Sequence, residues 1–131
     1  MSSQLKDHIL EFVRLLNEND YIEVSEMFTE DFCYVRPSGN PLDKAEWLEL
    51  FDKLSMKGTK LVGINFINVV ANMGYVSYTT HTKFIYNEVI NEDIAVFVAI
   101  FTKVEGKWQI SYIQRSTGRK PEEPLPVFKL I

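Results

Sequence analysis

Apolar residues recur through residues 3–18 at Leu5, Ile9, Phe12, Val13 and Leu16, while Lys6, Asp7, Glu11, Arg14 and Glu18 fall largely between them. Spacings of three and four match a helix of about 3.6 residues per turn with one apolar stripe, so the stretch predicts an amphipathic helix. Asn17-Glu-Asn-Asp20 interrupts that period. Asp20 followed by Glu23 has the spacing of a capping box and predicts a second, shorter helix with Val24, Met27 and Phe28 on its apolar side, ending near Thr29. Asp31 to Arg36 is rich in strand formers, and Pro37-Ser-Gly-Asn-Pro41 follows with turn residues, so a short strand and a loop are expected. Asp43 with Glu46 repeats the capping box. Trp47, Leu50, Phe51 and Leu54 then keep helical spacing until Lys57-Gly58, which predicts a third helix.

From Lys60 the pattern changes to long β-branched and aromatic runs over 60–71, 74–87, 93–104 and 107–117. Asn72-Met-Gly74, Asn87 to Glu92 and Glu105-Gly106 separate them, which predicts consecutive hairpins. Helices first and strands afterwards make a segregated α+β domain, with the helices covering one face of a curved, mainly antiparallel sheet. One domain is expected over 1–131, with 118–131 as an extended Pro-rich tail docked on the domain or on a partner.

The 93–104 run is apolar on both sides: Ile94, Val96, Val98 and Ile100 alternate with Ala95, Phe97, Ala99 and Phe101. A sheet covered by helices on one face should be polar on the other. No helix-like period remains after residue 57, so a second copy of the sheet is the economical cover, and a homodimer or higher homo-oligomer is expected. A tail folded back over the sheet is the alternative. Small and large residues alternate on the Ala/Phe side, which suits a concave surface with room for a helix or a ligand.

Composition narrows the chemistry. The chain has 131 residues, a net charge of -4, 46% hydrophobic and 24% charged residues, in the range of a soluble domain. No run of about 18 apolar residues appears, and Met1 leads into Ser-Ser-Gln, so neither a membrane span nor a secretory signal is read and a cytoplasmic location is expected. Cys33 is the single cysteine and reads as a small buried hydrophobe. No Cys/His spacing or oxygen-ligand cluster suggests a metal, and no cofactor is implied. Residues 1–55 carry 5 basic and 12 acidic side chains, residues 56–131 carry 9 and 6, and the longest basic pair is Arg119-Lys120. No basic stripe of the kind that tracks a phosphate backbone is present, so nucleic acid is not an expected partner.

Helix-helix-strand-helix followed by a bent antiparallel sheet resembles the nuclear transport factor 2-like, or SnoaL-like, superfamily. The stretch Gly106-Lys-Trp-Gln-Ile-Ser-Tyr-Ile-Gln-Arg-Ser116, with Tyr34-Val-Arg-Pro-Ser-Gly-Asn40, carries the likeness. The first is similar to the closing strand of the association (hub) domain of calcium/calmodulin-dependent protein kinase and to the iota-class carbonic anhydrases. The resemblance implies a cone-shaped, cystatin-like fold with a ligand cavity at its wide end. It matches Arg115 to a pocket arginine of the hub, sets Thr80 and Ala99 where the hub has two further arginines, and sets Arg36 where it has a carboxylate. The iota-class histidines and serines correspond to Tyr112-Ile-Gln-Arg-Ser116, which contains no histidine.

Arg115 shares its strand face with Gln109, Ser111 and Ile113, and Trp108, Ile110, Tyr112 and Gln114 share the other. Periodicity alone turns Trp108 and Tyr112 to the core; the resemblance turns Arg115 to the cavity and the Trp108 face to a partner sheet. By the same parity Tyr78, Thr80, Thr82 and Phe84 face the cavity, and His81 does not. The expected ligand site is Val24, Tyr34, Arg36, Trp47, Leu48, Tyr78, Thr80, Phe97, Ala99 and Arg115. Its arginines would hold a small anionic or polar molecule through forked donors, or else pair with Asp43 or Glu46. A cofactor-free lyase, isomerase or hydratase, carbonic anhydrase-like chemistry included, would need His81 or a helix-3 carboxylate as its base. A hub-like assembly module is the structural alternative.

Overall fold

The computed structural model describes residues 2–54, 56 and 58–122. Helices α1 (Ser2–Glu18) and α2 (Tyr21–Glu26) precede strands β1 (Phe28–Val35) and β2 (Pro41–Asp43) and helix α3 (Lys44–Lys53). Four long strands follow: β3 (Lys60–Val70), β4 (Met73–Tyr86), β5 (Val89–Val104) and β6 (Lys107–Arg115). They form a six-stranded sheet in the order β2-β1-β6-β5-β4-β3. Every neighbouring pair is antiparallel except β1 and β6, which run parallel, so the expected mainly antiparallel α+β architecture is what forms.

Local chemistry explains the element ends. Asp43 and Glu46 make the full reciprocal capping box, with Glu46 N donating to Asp43 Oδ1 at 2.8 Å and Asp43 N donating to Glu46 Oε1 at 2.9 Å. Asp20 makes one half of such a box, accepting from Glu23 N at 3.2 Å. Helix α2 stops at Glu26, earlier than its apolar pattern suggests, because β6 captures the next carbonyl: Ile110 N donates to Met27 O at 2.7 Å. Helix α3 stops at Lys53, short of Lys57, where Leu54 turns extended. Pro41–Asp43, read from sequence as loop, pairs with β1 as a short edge strand, a place where proline's missing N–H costs no ladder bond. The polar run Asn87 to Glu92 is not a long loop either. Asn87 and Glu88 both take positive φ (50° and 66°), the tight two-residue turn whose twist matches the flanking strands, and β5 begins at once.

The apolar stripe of α1 lies on the concave face of the sheet, burying Leu5, Ile9, Phe12 and Leu16 against Phe28, Phe32, Trp47, Phe51, Val76 and Phe101. Phe28 stacks on Phe32 at 3.8 Å and meets Trp47 edge-on at 5.1 Å. Full burial of each such ring contributes about 1.5–3 kcal/mol. Gly74 makes the close approach possible, since a Cβ there would collide with the Leu5 side chain and the Asn68 carbonyl. Asn17 ties the far end of α1 to the start of β3, donating to Thr59 O at 2.7 Å and accepting from Thr59 N at 2.8 Å.

One bulge changes the reading of β6. Ile100 pairs with Tyr112 but Phe101 pairs with Ile110, leaving Ser111 as an extra residue anchored to Thr102 Oγ1 at 3.0 Å. Neither uniform parity therefore holds: Trp108 and Ile110 are buried on the same concave side as Ile113 and Arg115, and Trp108 does not face outward to a partner. Tyr112 and Gln114 lie on the other side, their residues half-buried and exposed. That convex face is apolar and, among the described residues, uncovered: Phe66, Tyr75, Val96 and Val98 are 53%, 41%, 42% and 38% exposed. After β6 the chain keeps to the β5 edge, with Ser116 N donating to Val96 O at 2.8 Å and Arg119 exchanging two bonds with Ile94. The tail expected to dock further on falls, from residue 123, outside the described residues.

Candidate functional site

Beyond the packed end of the core, α1, α3 and the sheet diverge around a cavity of about 350 Å³. Its walls are Phe12 and Leu16 of α1, Trp47, Leu50 and Phe51 of α3, Leu54, Met56 and Thr59 of the following segment, and four strands. β1 and its exit supply Tyr34, Arg36 and Pro37; β4 supplies Tyr78, Thr80, Thr82 and Phe84; β5 supplies Asp93 and Phe97; β6 supplies Ile113 and Arg115. The β4 row is the alternation expected from sequence, carried inward by its cross-strand register with β5.

Seven of the ten anticipated site residues meet here: Tyr34, Arg36, Trp47, Tyr78, Thr80, Phe97 and Arg115. Val24, Leu48 and Ala99 do not line the cavity. They are packed in the core at 0%, 5% and 0% exposure, because the helix turn and strand positions that carry them point at the filled end. His81 lies on the convex side, its Nε2 2.7 Å from Glu92 Oε2. Asp43 and Glu46 are exposed and spent on the helix cap. The bases foreseen for proton-transfer chemistry are thus all outside the cavity. His8 on α1 is partly buried 5.9 Å from the Phe101 ring, and burial lowers its pKa. Cys33 is half-buried.

The carboxylate that does enter was missed. Asp93 Oδ2 accepts a hydrogen bond from Arg115 Nη2, and both side chains are about four-fifths withdrawn from solvent, at 23% and 22% exposure. Continuing the inward row Ala99, Phe97, Ala95 by one step reaches Asp93, so strand parity held the signal; reading Asn87 to Glu92 as loop placed Asp93 at the very start of the strand and hid it. The arginine partners anticipated from helix 3 are not used. Gly118 is packed so closely on the pair that a Cβ would collide with the Asp93 carboxylate and Arg115 Nη2. Below it, the guanidinium sits 5.9 Å from the Phe97 ring centre, and Phe97 stacks on Tyr78 at 5.1 Å with planes 8° apart.

Arg36 Nε donates to Asn40 O at 3.3 Å, a bond within the β1–β2 turn, and among the described residues no carboxylate pairs with it. Burial pushes the Tyr34 phenol up to about 12; Arg115 opposes the rise, Asp93 adds to it and Arg36 opposes it. Burial raises Tyr78 in the same direction. The Thr80 and Thr82 hydroxyls share a hydrogen bond at 3.4 Å. No group of three or more His, Cys, Asp or Glu that could hold a metal ion occurs among the described residues. No helix among them is long and apolar enough to cross a membrane.

Residues 3–122 match the family described as Protein of unknown function (DUF3804). The chain belongs to that family. No curated protein matches the sequence. Among solved structures, an NTF2-like protein of unknown function from Prochlorococcus marinus is 28% identical, with 92% of this chain and 96% of that one covered at a TM-score of 0.78. A putative Ca/calmodulin-dependent kinase II association domain from Exiguobacterium sibiricum is 16% identical (91% and 93% covered, TM-score 0.81). A ketosteroid isomerase-like protein from Erwinia carotovora is also 16% identical (92% and 97% covered, TM-score 0.76). This DUF3804 chain therefore has the NTF2-like, cystatin-like α+β fold that its closing strand and element order resemble. Solved proteins of this fold include ones named as ketosteroid isomerase-like and as an association domain, and the likeness to them is one of fold.

Proposed function

We propose that this chain binds a small polar or anionic molecule in its cavity, and does so as a homodimer or larger assembly closed through the convex face of the sheet. The observation that carries the reading is the composition of the cavity wall. Trp47, Phe51, Tyr78 and Phe97 make an aromatic enclosure of a size suited to one small molecule, and two arginines with two phenols provide its few polar contacts. Arg115, Arg36, Tyr34, Tyr78 and Thr80 contact the polar part of the ligand; Trp47 and Phe97 take its apolar part. Val24, Leu48 and Ala99 act behind that wall, as core.

Assembly follows from the other face. A row of half-exposed Phe66, Tyr75, Val96 and Val98 is more apolar than a solvated sheet face requires, and a second sheet with the same row is its natural complement. The cavity reading is tested by thermal unfolding with a panel of small aromatic acids and amides. At least one compound should raise the melting temperature, and Arg115→Ala should abolish that rise. A folded protein whose melting temperature no compound moves would end the proposal.

A further inference from the structure

We infer that the Arg115–Asp93 pair is the recognition edge of the cavity, and that it takes an uncharged lactam or secondary amide, N–H beside C=O, carried on a flat apolar ring. The inference rests on the cavity being a binding site and names what would fill it.

The pair itself selects against a free carboxylate. Its formal charges cancel, and a ligand anion on Arg115 would have to displace Asp93, leaving that carboxylate against an apolar wall with its partner taken. The bond between them uses one guanidinium nitrogen and one carboxylate oxygen. Among the described residues no other hydrogen bond uses Asp93 Oδ1 or Arg115 Nε and Nη1, so the pair brings a spare acceptor and spare donors to the same stretch of cavity wall. The complement of an acceptor beside donors is a donor beside an acceptor, which is the edge of a lactam. The Tyr34 and Tyr78 hydroxyls add donors suited to the same carbonyl, and burial keeps both phenols protonated. The near-parallel Phe97 and Tyr78 rings offer a flat face beside that edge. Little is left to reorganise on binding: the 116–119 segment is bonded to Val96 and Ile94 and brings Gly118 directly against the pair.

The test is calorimetric titration of the full chain, wild type and Asp93→Asn, with carbostyril, its N-methyl derivative and naphthoate. These are bicycles of similar size that differ at one edge. Asparagine would keep its oxygen on Arg115 and turn an NH₂ where the ligand N–H must sit. Carbostyril should bind at least about 10-fold tighter than either analogue, and Asp93→Asn should weaken it by at least about 10-fold, the effect of losing one hydrogen bond to a charged group. If Asp93→Asn does not fold, the N-methyl comparison on the wild type decides alone. Naphthoate binding tightest, and tighter still in Asp93→Asn, would overturn the lactam while leaving an anion site; equal binding of all three overturns it as well. Silence from all three overturns it too. In that case unsubstituted naphthalene distinguishes the causes: if it perturbs the cavity methyl resonances the cavity binds with another preference, and if it does not the binding reading falls with the lactam.

Discussion

The two faces of one sheet are built from the same kinds of residue and meet different fates. On the concave face β4 and β5 present Val76, Tyr78, Ala95, Ala99 and Phe101, each at 2% exposure or less, under α1 and the Phe28–Trp47 cluster. On the convex face the same strands present Tyr75, Val96 and Val98 at 41%, 42% and 38%. The strands do not distinguish the faces by hydrophobicity; the helices do, by having been spent on one side. What remains apolar after the helices are placed is the surface on which the proposed assembly rests. The concave face makes the same point from within, since helix α3 ends too soon to fill the wide end and leaves polar groups around a hollow.

Substitutions that hit one face and spare the other test this contrast. The largest effect is expected at the concave side: Phe28→Ala should cost about 3–5 kcal/mol in urea unfolding, because it empties the centre of a ring stack, whereas Val98→Ala should cost the isolated chain under about 1 kcal/mol. Next, Val98→Glu should dissociate the proposed assembly in light scattering while circular dichroism stays unchanged. A single-chain mass for the wild type would break the comparison outright. The smallest effect is a pH dependence from the cavity. The folded state holds the Tyr34 proton up to about 12, whereas an unfolded tyrosine releases it near 10, so across that window the unfolded chain binds fewer protons and stability falls as pH rises. The fall should be on the order of 1–3 kcal/mol, and Tyr34→Phe should reduce it in pH-dependent urea melts. An unchanged slope in that variant would mean that the phenol is not withdrawn from water.

Much of this was readable along the chain. The α1 stripe, the Asp43–Glu46 cap and the double apolar character of β5 came from spacing alone, and each is local; the alternation from Tyr78 to Phe84 came from spacing too, but its inward direction came from the resemblance. Errors arose where a local pattern depended on a distant partner. Thr29 looked helical until Met27 O was taken by β6; Pro41 looked like a turn until β1 offered an edge; Asn91 and Glu92 looked like loop because a two-residue turn with Glu88 at positive φ has no strong sequence mark. Of the ten residues expected from parity and resemblance, seven line the cavity. Val24, Leu48 and Ala99 lie on the right faces, at heights along the cone where the core is already full.

By itself the sequence determined the periods, the caps, the helix-then-strand order and the surplus of apolar surface that one layer of helices leaves over, because these depend on residues within a few positions of one another. Tertiary structure decided the parallel β1–β6 contact, the Ser111 bulge that brings Trp108 and Arg115 to one side, and the meeting of Arg115 with Asp93 across 22 residues of chain. A cross-strand encounter depends on register, and one inserted residue reverses every side chain beyond it, so no count along a single strand fixes which charges face each other.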